Sequence, residues 1–471
     1  MTTHRRSIVG LACLVVALGY SVLAQGIGGT HWEGGISILG SELKISVDFT
    51  TTGDSLKGTI DIPQQGAKDL ALKNISFKQP KIHFELPAGP GLAIFDGESR
   101  ADSINGAFSQ SGINGTFHLV RREKKNFTVQ EPPVPYNQTE VTFHNGSITL
   151  SGTLTLPPTK GPHPAVIMIT GSGPQNRDEE LFGFKPFRMI ADHLTRKGIA
   201  VLRYDDRGVG GSTGSMSSST TADFADDVDS AFAFLLSRPE IDRKHIGLFG
   251  HSEGGIVAPM VAARNKNIAF IVLMAGPARP GADIILYQIE QIAREGGASE
   301  GEIANALASQ KKVYACVQTG TGWEALRTDL RREARASIDE MSPEKRKGIA
   351  DVDKLIETSV NAKIESAKSP WFKYFIEYDP APALSKVACP VLAIFGELDR
   401  QVPVSLNKAP MEKALKEGGN KDETILVLPS ANHLFLKATT GSTKEYMELP
   451  KEFVTGFLET IAGWIEKHVR Q

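Results

Sequence analysis

The chain has 471 residues, of which 41% are hydrophobic and 23% charged, with a formal net charge of -2. A balance this close to neutral gives no electrostatic footprint for nucleic acid or an anionic membrane, and the length suits two folded units, each able to bury a core. The partner left standing is a small molecule.

Residues 1–24 place Arg5 and Arg6 ahead of an apolar run that closes on Val22-Leu23-Ala24. That is the layout of a cleavable secretory signal cut after Ala24, and the run is short for a membrane span, although an uncleaved anchor is the alternative. The expectation is bacterial export to a secreted or periplasmic location, with no stable membrane association once the signal is removed. Cys13 lies inside the signal; Gly10-Leu11-Ala12 before it lacks the usual lipoprotein leucine, and much of the apolar run follows it. Only Cys316 and Cys389 remain, too few for a disulfide framework, and a single bridge between them stays open.

Residues 25–125 read as a small antiparallel all-β domain. In "SELKISVDFT", Leu43, Ile45, Val47 and Phe49 alternate with polar residues, and "KIHFEL" repeats the pattern with Ile82, Phe84 and Leu86. This is the two-residue period of strands with one buried face, and "TTGD", "AGPG" and "SINGAF" supply the turns between them. Residues 126–136 contain Pro132, Pro133 and Pro135, which favour a stiff extended linker.

From residue 137 to 471 the pattern changes. "PAVIMITGSG", "GIAVLRYDDRG", "HIGLFGHSEGG", "IAFIVLMAG", "CPVLAIFGELD" and "ETILVLPSANH" are nearly continuous apolar runs ending in glycine or polar residues, as strands buried on both faces of a parallel sheet would be. Helix-like stretches such as "FADDVDSAFAFLLSR" lie between several of them, which predicts a doubly wound, mostly parallel α/β domain. Residues 281–383 interrupt this alternation with a charged, helix-prone segment too long for a crossover, and an inserted helical cap accounts for it.

The chemistry sits at the ends of those runs. Gly250-His251-Ser252-Glu253-Gly254 fits G-x-S-x-G, follows an apolar run and precedes "GIVAPMVAAR", the strand-turn-helix setting in which a serine is presented as a nucleophile. Gly210-Gly211-Ser212-Thr213-Gly214 fits the same pattern without that setting, so Ser212 reads as a flexible loop serine. A serine hydroxyl needs a base held by an acid. Asp399 follows one later strand, with Glu397 a rival for the acid role, and His433 follows the next, in the order serine, acid, histidine. Of the other histidines, His251 reads as shaping the elbow and His245 as lying where its strand begins; none shows H-E-x-x-H spacing, so neither a metal nor an organic cofactor is called for.

At these residues, over roughly 137 to 471, the chain resembles the serine α/β-hydrolase superfamily, and within it bacterial secreted esterases and serine-aminopeptidase-like hydrolases, some with an N-terminal β-rich domain. "ITGSGPQNRDE", "RYDDRGVGGSTG" and "GELDRQVP" carry the resemblance besides the triad. It implies an oxyanion hole made by the backbone N–H of Glu253 and that of Ser172 in the loop after the first core strand. Thr170 stands where the family often has histidine, which leaves Gly173 as the alternative to Ser172. Asp205 and Arg207 are expected to pair and hold their loop. The implied activity is hydrolysis of small-molecule carboxylic esters through an acyl-enzyme. A peptidase or thioesterase using the same triad and a non-catalytic binding protein are the alternatives, and the role of the β domain stays open as spacer, active-site wall or carbohydrate-binding unit.

Overall fold

The alternation ahead of the proline-rich linker produces nine strands: β1 (Thr30–Ile38), β2 (Ser41–Thr52), β3 (Ser55–Ile62), β4 (Ala67–Ala71), β5 (Lys73–Lys78), β6 (Lys81–Pro87), β7 (Leu92–Arg100), β8 (Ser103–Gln110) and β9 (Ile113–Arg122). The structure is a computed structural model that describes residues 27–38, 41–53, 55–63, 67–87, 91–123 and 134–470. The signal segment with its cut after Ala24 and Cys13, and Pro132 and Pro133 of the linker, lie outside the described residues. The nine strands form one sheet in the order β4-β3-β2-β1-β9-β8-β7-β6-β5 with antiparallel neighbours. Period-two burial puts Ile82, Phe84 and Leu86 of β6 inside together with Val47 and Phe49 of β2. Phe84 stacks on Phe95 at 4.5 Å, and Phe49 and Phe117 meet Phe84 edge-on, so this sheet carries its own aromatic core.

The second sheet contains β10 (Asn137–Asn145), β11 (Ile148–Leu156), β12 (His163–Ile169), β13 (Ala200–Tyr204), β14 (Ile241–His251), β15 (Ile271–Met274), β16 (Val391–Gly396) and β17 (Glu423–Leu428). Its order is β10-β11-β13-β12-β14-β15-β16-β17. The six apolar runs become the parallel strands β12 to β17, while β10 and β11, which none of those runs predicts, form an antiparallel edge that starts where the linker ends. Strands β13, β15 and β16 are buried along their whole length, because separate apolar clusters cover the two faces of the sheet.

Helices α1 (Pro186–Arg196), α2 (Thr221–Leu236) and α3 (Gly254–Arg264) follow β12, β13 and β14. The start of α2 is set by a capping box in which Thr220 and Asp223 satisfy each other's backbone N–H. Between β15 and β16 come α4 (Gly281–Glu295), α5 (Glu300–Thr319), α6 (Trp323–Asp339), α7 (Pro343–Arg346), α8 (Val352–Lys368), α9 (Pro370–Glu377) and α10 (Ala381–Leu384). Helices α4 to α9 make the cap, with an apolar core of their own, whereas α10 packs on α3 and on α11 (Val404–Glu417) of the body. Helix α12 (Phe457–Val469) closes the chain against α1.

The turn between β8 and β9 reaches the cap. Gly112 O accepts the N–H groups of Ala350 and Asp351 at 2.8 and 3.0 Å, and Asn114 N donates to Gly348 O at 2.8 Å. The β domain therefore holds the cap through backbone hydrogen bonds. Cys316 in α5 and Cys389 ahead of β16 are both free thiols, so the bridge left open by the sequence is not formed.

Candidate active site

The parallel strands β12, β14, β16 and β17 all end at the same edge of the sheet, the edge where a doubly wound domain opens its crevice. At the end of β14 the chain turns sharply through Ser252 into α3. Ser252 has a φ of 52°, a left-handed conformation rare for a residue with a side chain and worth about 1–3 kcal/mol of strain. The glycines around it are required by close approach: a Cβ on Gly250 would lie 2.0 Å from Gly254 O, and one on Gly254 would lie 2.2 Å from Ile169 O. Ser252 N donates to Met274 O at 2.9 Å, which ties the elbow to β15.

Asp399 and His433, from the loops after β16 and β17, meet. His433 Nδ1 is 2.8 Å from Asp399 Oδ2, and both side chains are buried. The other oxygen of Asp399 accepts the backbone N–H groups of Gln401 and Val402 at 2.8 and 2.9 Å. Glu397 is directed elsewhere, accepting Ser430 N at 2.9 Å, so Asp399 alone of the two rivals reaches the histidine. Asn432 shapes the histidine loop, its Oδ1 accepting Leu434 N and Leu436 N, each at 3.0 Å. The Tyr446 hydroxyl accepts Gln401 Nε2 at 3.0 Å; burial first, and then the nearby Asp399 charge, raise its pKa and keep it neutral.

The loop after β12 lies against the elbow. A Cβ on Gly171 would come within 3.2 Å of the Ser252 Cβ, and Gly171 N donates to Glu179 Oε1 at 2.7 Å. Asp206 anchors the same loop by accepting Thr170 Oγ1 at 2.7 Å and Gln175 N at 2.9 Å. The Ser172 hydroxyl is near enough to the Glu253 carboxyl to favour its charged form. Burial pushes the Glu253 carboxyl up, and hydrogen bonds from Thr221 and Trp371, with the nearby Ser172 hydroxyl, oppose the rise. Thr221 Oγ1 donates at 2.6 Å and Trp371 Nε1 at 2.9 Å. His251, also buried, places Nδ1 2.8 Å from Glu179 Oε1 and Nε2 3.1 Å from His433 O. His245 pairs with Asp242 far down β14 and takes no part in this cluster.

Two sequence expectations require correction. Asp205 and Arg207 do not pair with each other: Asp205 takes Arg177, with Nη2 at 2.7 Å, and Arg207 takes Asp227, with Nε at 2.7 Å. Each has a longer-range partner with better geometry. Ser212 is not a flexible loop serine. It is buried, donating to Asp205 O at 2.7 Å and accepting Ser151 N at 2.9 Å, so it pins its loop to β11. Glu179 and Trp371 were missed altogether. Trp371 had one local signal, the Ser369-Pro370 start of α9, where Ser369 Oγ caps Phe372 N and Pro370 takes the first helical position. Among the described residues no group of three or more His, Cys, Asp or Glu is placed to hold a metal ion.

The mostly parallel sheet, covered on both faces and carrying a helical insertion at its carboxyl edge, defines an α/β hydrolase. Residues 185–439, which include Ser252, Asp399 and His433, match the family described as serine aminopeptidase, S33, and the chain belongs to that family. Over 338 residues it is 28% identical to esterase EstD of Thermotoga maritima, covering 71% of this chain and 69% of that protein. A shorter stretch of 106 residues is 33% identical to polyketide transferase claH of Penicillium crustosum, covering 22% of this chain and 34% of that protein. Among solved structures, the esterase Pf2001 of Pyrococcus furiosus superposes with a TM-score of 0.44 at 15% identity, over 74% of this chain and 95% of that one. A proline iminopeptidase of Mycobacterium smegmatis gives 0.41 at 16% identity, over 70% and 98%.

Proposed function

We propose that this hydrolase cleaves small-molecule carboxylic esters through an acyl-enzyme formed on Ser252. The observation that carries the reading is the hydrogen bond of His433 Nδ1 to the buried Asp399, at 2.8 Å, beside a strained serine elbow. Asp399 can only accept, so Nδ1 carries the proton and Nε2 keeps a lone pair for the proton of the Ser252 hydroxyl. Ser252 attacks the ester carbonyl, His433 passes the proton to the departing alcohol, and water releases the acyl group by the reverse sequence. The N–H groups of Ser172 and Glu253 bind the oxyanion. Gly171 N is already committed to Glu179, and Glu253 opens α3, whose N-terminal dipole favours negative charge. The similarity to esterase EstD supports an ester as the substrate.

A serine peptidase is the second reading, favoured by membership of a family described as aminopeptidases. A panel of p-nitrophenyl esters and aminoacyl p-nitroanilides separates the two, with turnover of the esters expected. Turnover of the anilides alone would select the peptidase. Fluorophosphonate labelling of Ser252, lost in His433→Ala, tests the triad in the same preparation. Equal labelling of that variant would remove His433 as the base. The reading also places the protein outside the cytoplasm, on the strength of residues 1–24.

A further inference from the structure

The mechanism leaves a buried titratable pair unused beneath the site. His251 immediately precedes the nucleophile and is 3% exposed, and Glu179, at 4%, comes from the loop after β12. The Nε2 of His251 faces the His433 carbonyl, which can only accept, so that nitrogen carries a proton. Its Nδ1 faces a carboxylate, which also only accepts, so that nitrogen carries one too. The ring is then an imidazolium paired with Glu179. Burial by itself would lower the His251 pKa, but the Glu179 charge, its hydrogen bond and the His433 carbonyl bring it above the ordinary value.

The same Glu179 oxygen that meets His251 also accepts Gly171 N, the backbone that packs on the Ser252 Cβ. Glu179 and nearby Phe182 both sit at a φ of 52°, so the loop holds two side-chain-bearing residues in a strained conformation. The second oxygen of Glu179 is buried with no hydrogen-bond partner. Strain and an unsatisfied buried oxygen are costs that a purely architectural pair would have no reason to retain, and such costs cluster where geometry serves function.

We propose that Glu179 and His251 are positioning residues that couple the two halves of the site: one carboxylate oxygen fixes the oxyanion loop through Gly171, and the imidazolium fixes the backbone of His433. The pair keeps the oxyanion donors and the base in register with Ser252, which stands between them in the chain of contacts. This rests on the serine-hydrolase reading above. The titratable groups facing His251 are Glu179, Asp399 and the His433 ring, while Asp206 and Glu253 lie within the field of the same cluster.

The test uses full-length Glu179→Gln and His251→Gln. In the first, an amide oxygen still accepts Gly171 N but the charge is gone. In the second, the amide N–H still reaches the His433 carbonyl but the link to Glu179 is cut. With sites counted by fluorophosphonate titration, kcat per site should fall about 10- to 100-fold, the scale of a sub-ångström to 1 Å misplacement, with KM within about threefold. Glu179→Gln should also introduce a descending alkaline limb in kcat, as the unpaired His251 gives up one of its two protons. Nitrogen-15 NMR of histidine-labelled wild type, with His251 assigned by the signals that vanish in His251→Gln or shift in Glu179→Gln, should report both His251 nitrogens protonated at pH 7.5, and one folded variant suffices for the assignment. A singly protonated ring, or a kcat per site within twofold of wild type in both variants, overturns the proposal while leaving the hydrolase reading intact. Absence of label on wild-type Ser252 would instead overturn the hydrolase reading, and this proposal with it.

Discussion

Asp399→Asn changes one atom of a buried carboxylate, and the surrounding donors dictate how the amide must sit. In the native protein one oxygen accepts the N–H groups of Gln401 and Val402, and the other accepts His433 Nδ1–H. An asparagine has a single acceptor oxygen. Turning that oxygen towards His433 leaves two backbone N–H groups facing an NH2 group, at about 1–3 kcal/mol for each unsatisfied buried donor, or roughly 2–6 kcal/mol together. Turning it towards the backbone keeps both of those bonds and sacrifices one, so the amide NH2 faces His433. The imidazole then switches tautomer: Nδ1 accepts, Nε2 carries the proton, and the base can no longer take the Ser252 proton. A loss in kcat on the order of 10⁴-fold follows from a wrong-tautomer base, equivalent to about 5.5 kcal/mol of transition-state stabilisation. The assay is kcat for a p-nitrophenyl ester at pH 7.5, with the melting temperature measured alongside. A variant that folds and keeps kcat within tenfold of wild type would refute the reasoning, because the backbone donors would then not be setting the amide.

Other perturbations follow from the same contacts. Ser252→Ala should remove esterase turnover by a factor on the order of 10⁴ or more, whereas Ser212→Ala should keep kcat per folded molecule yet lose about 1–3 kcal/mol in a urea titration, since it strips partners from Ser151 N and leaves Asp205 O short of a donor; unchanged stability would contradict the structural role of that hydroxyl. Trp371→Phe keeps the ring stack on Phe375 but deletes the N–H that ties α9 to Glu253. It should shift kcat/KM across an acetyl-to-decanoyl series, where each buried methylene is worth about 0.8 kcal/mol, more than it shifts the fluorophosphonate labelling rate, and an unaltered chain-length profile would argue against cap control. Because the folded-state pKa of His251 is raised, its pairing stabilises the protein fully below the unfolded value of about 6.5 and is lost as pH climbs through the folded value. The melting temperature should therefore decline on the alkaline side, and the decline should be shallower in Glu179→Gln; identical slopes would contradict the pairing. Exported protein should begin at Gln25 by N-terminal sequencing, and an intact Met1 on the exported form would contradict the signal.

What could be read from the sequence was what local backbone geometry decides. The six parallel strands were visible because burial on both faces demands continuous apolar runs, and the β domain because burial on one face demands alternation. Asp399 and His433 were visible because strand ends are where such a sheet presents side chains. The choice between Glu397 and Asp399 was not, since both stand after the same strand. It is made by two N–H groups at Gln401 and Val402 that fix one carboxylate and not the other. Glu179 and Trp371 left little trace because their partners lie far off in the chain: Glu179 meets His251 across 72 residues, and Trp371 meets Glu253 across 118. The expected Asp205–Arg207 pair failed for the same reason, sequence proximity giving way to Arg177 and Asp227.

The two G-x-S-x-G copies make the physical content of that pattern explicit. Around Ser212 the left-handed positions are taken by Gly210 and Gly214, at φ 54° and 90°, and the serine itself is relaxed. Its hydroxyl is then free to turn inward and serve as a backbone partner, which it does for Asp205 and Ser151. Around Ser252 the glycines are needed for clearance against Ile169 and the first turn of α3, and the left-handed turn falls on the serine. The strain at that residue is sustained by β14 entering it and α3 leaving it, with Ser252 N bonded to β15. A pentapeptide specifies the space for such a turn, but the flanking strand and helix decide which residue must adopt it. The same letters therefore make a rivet at one place and a candidate nucleophile at the other.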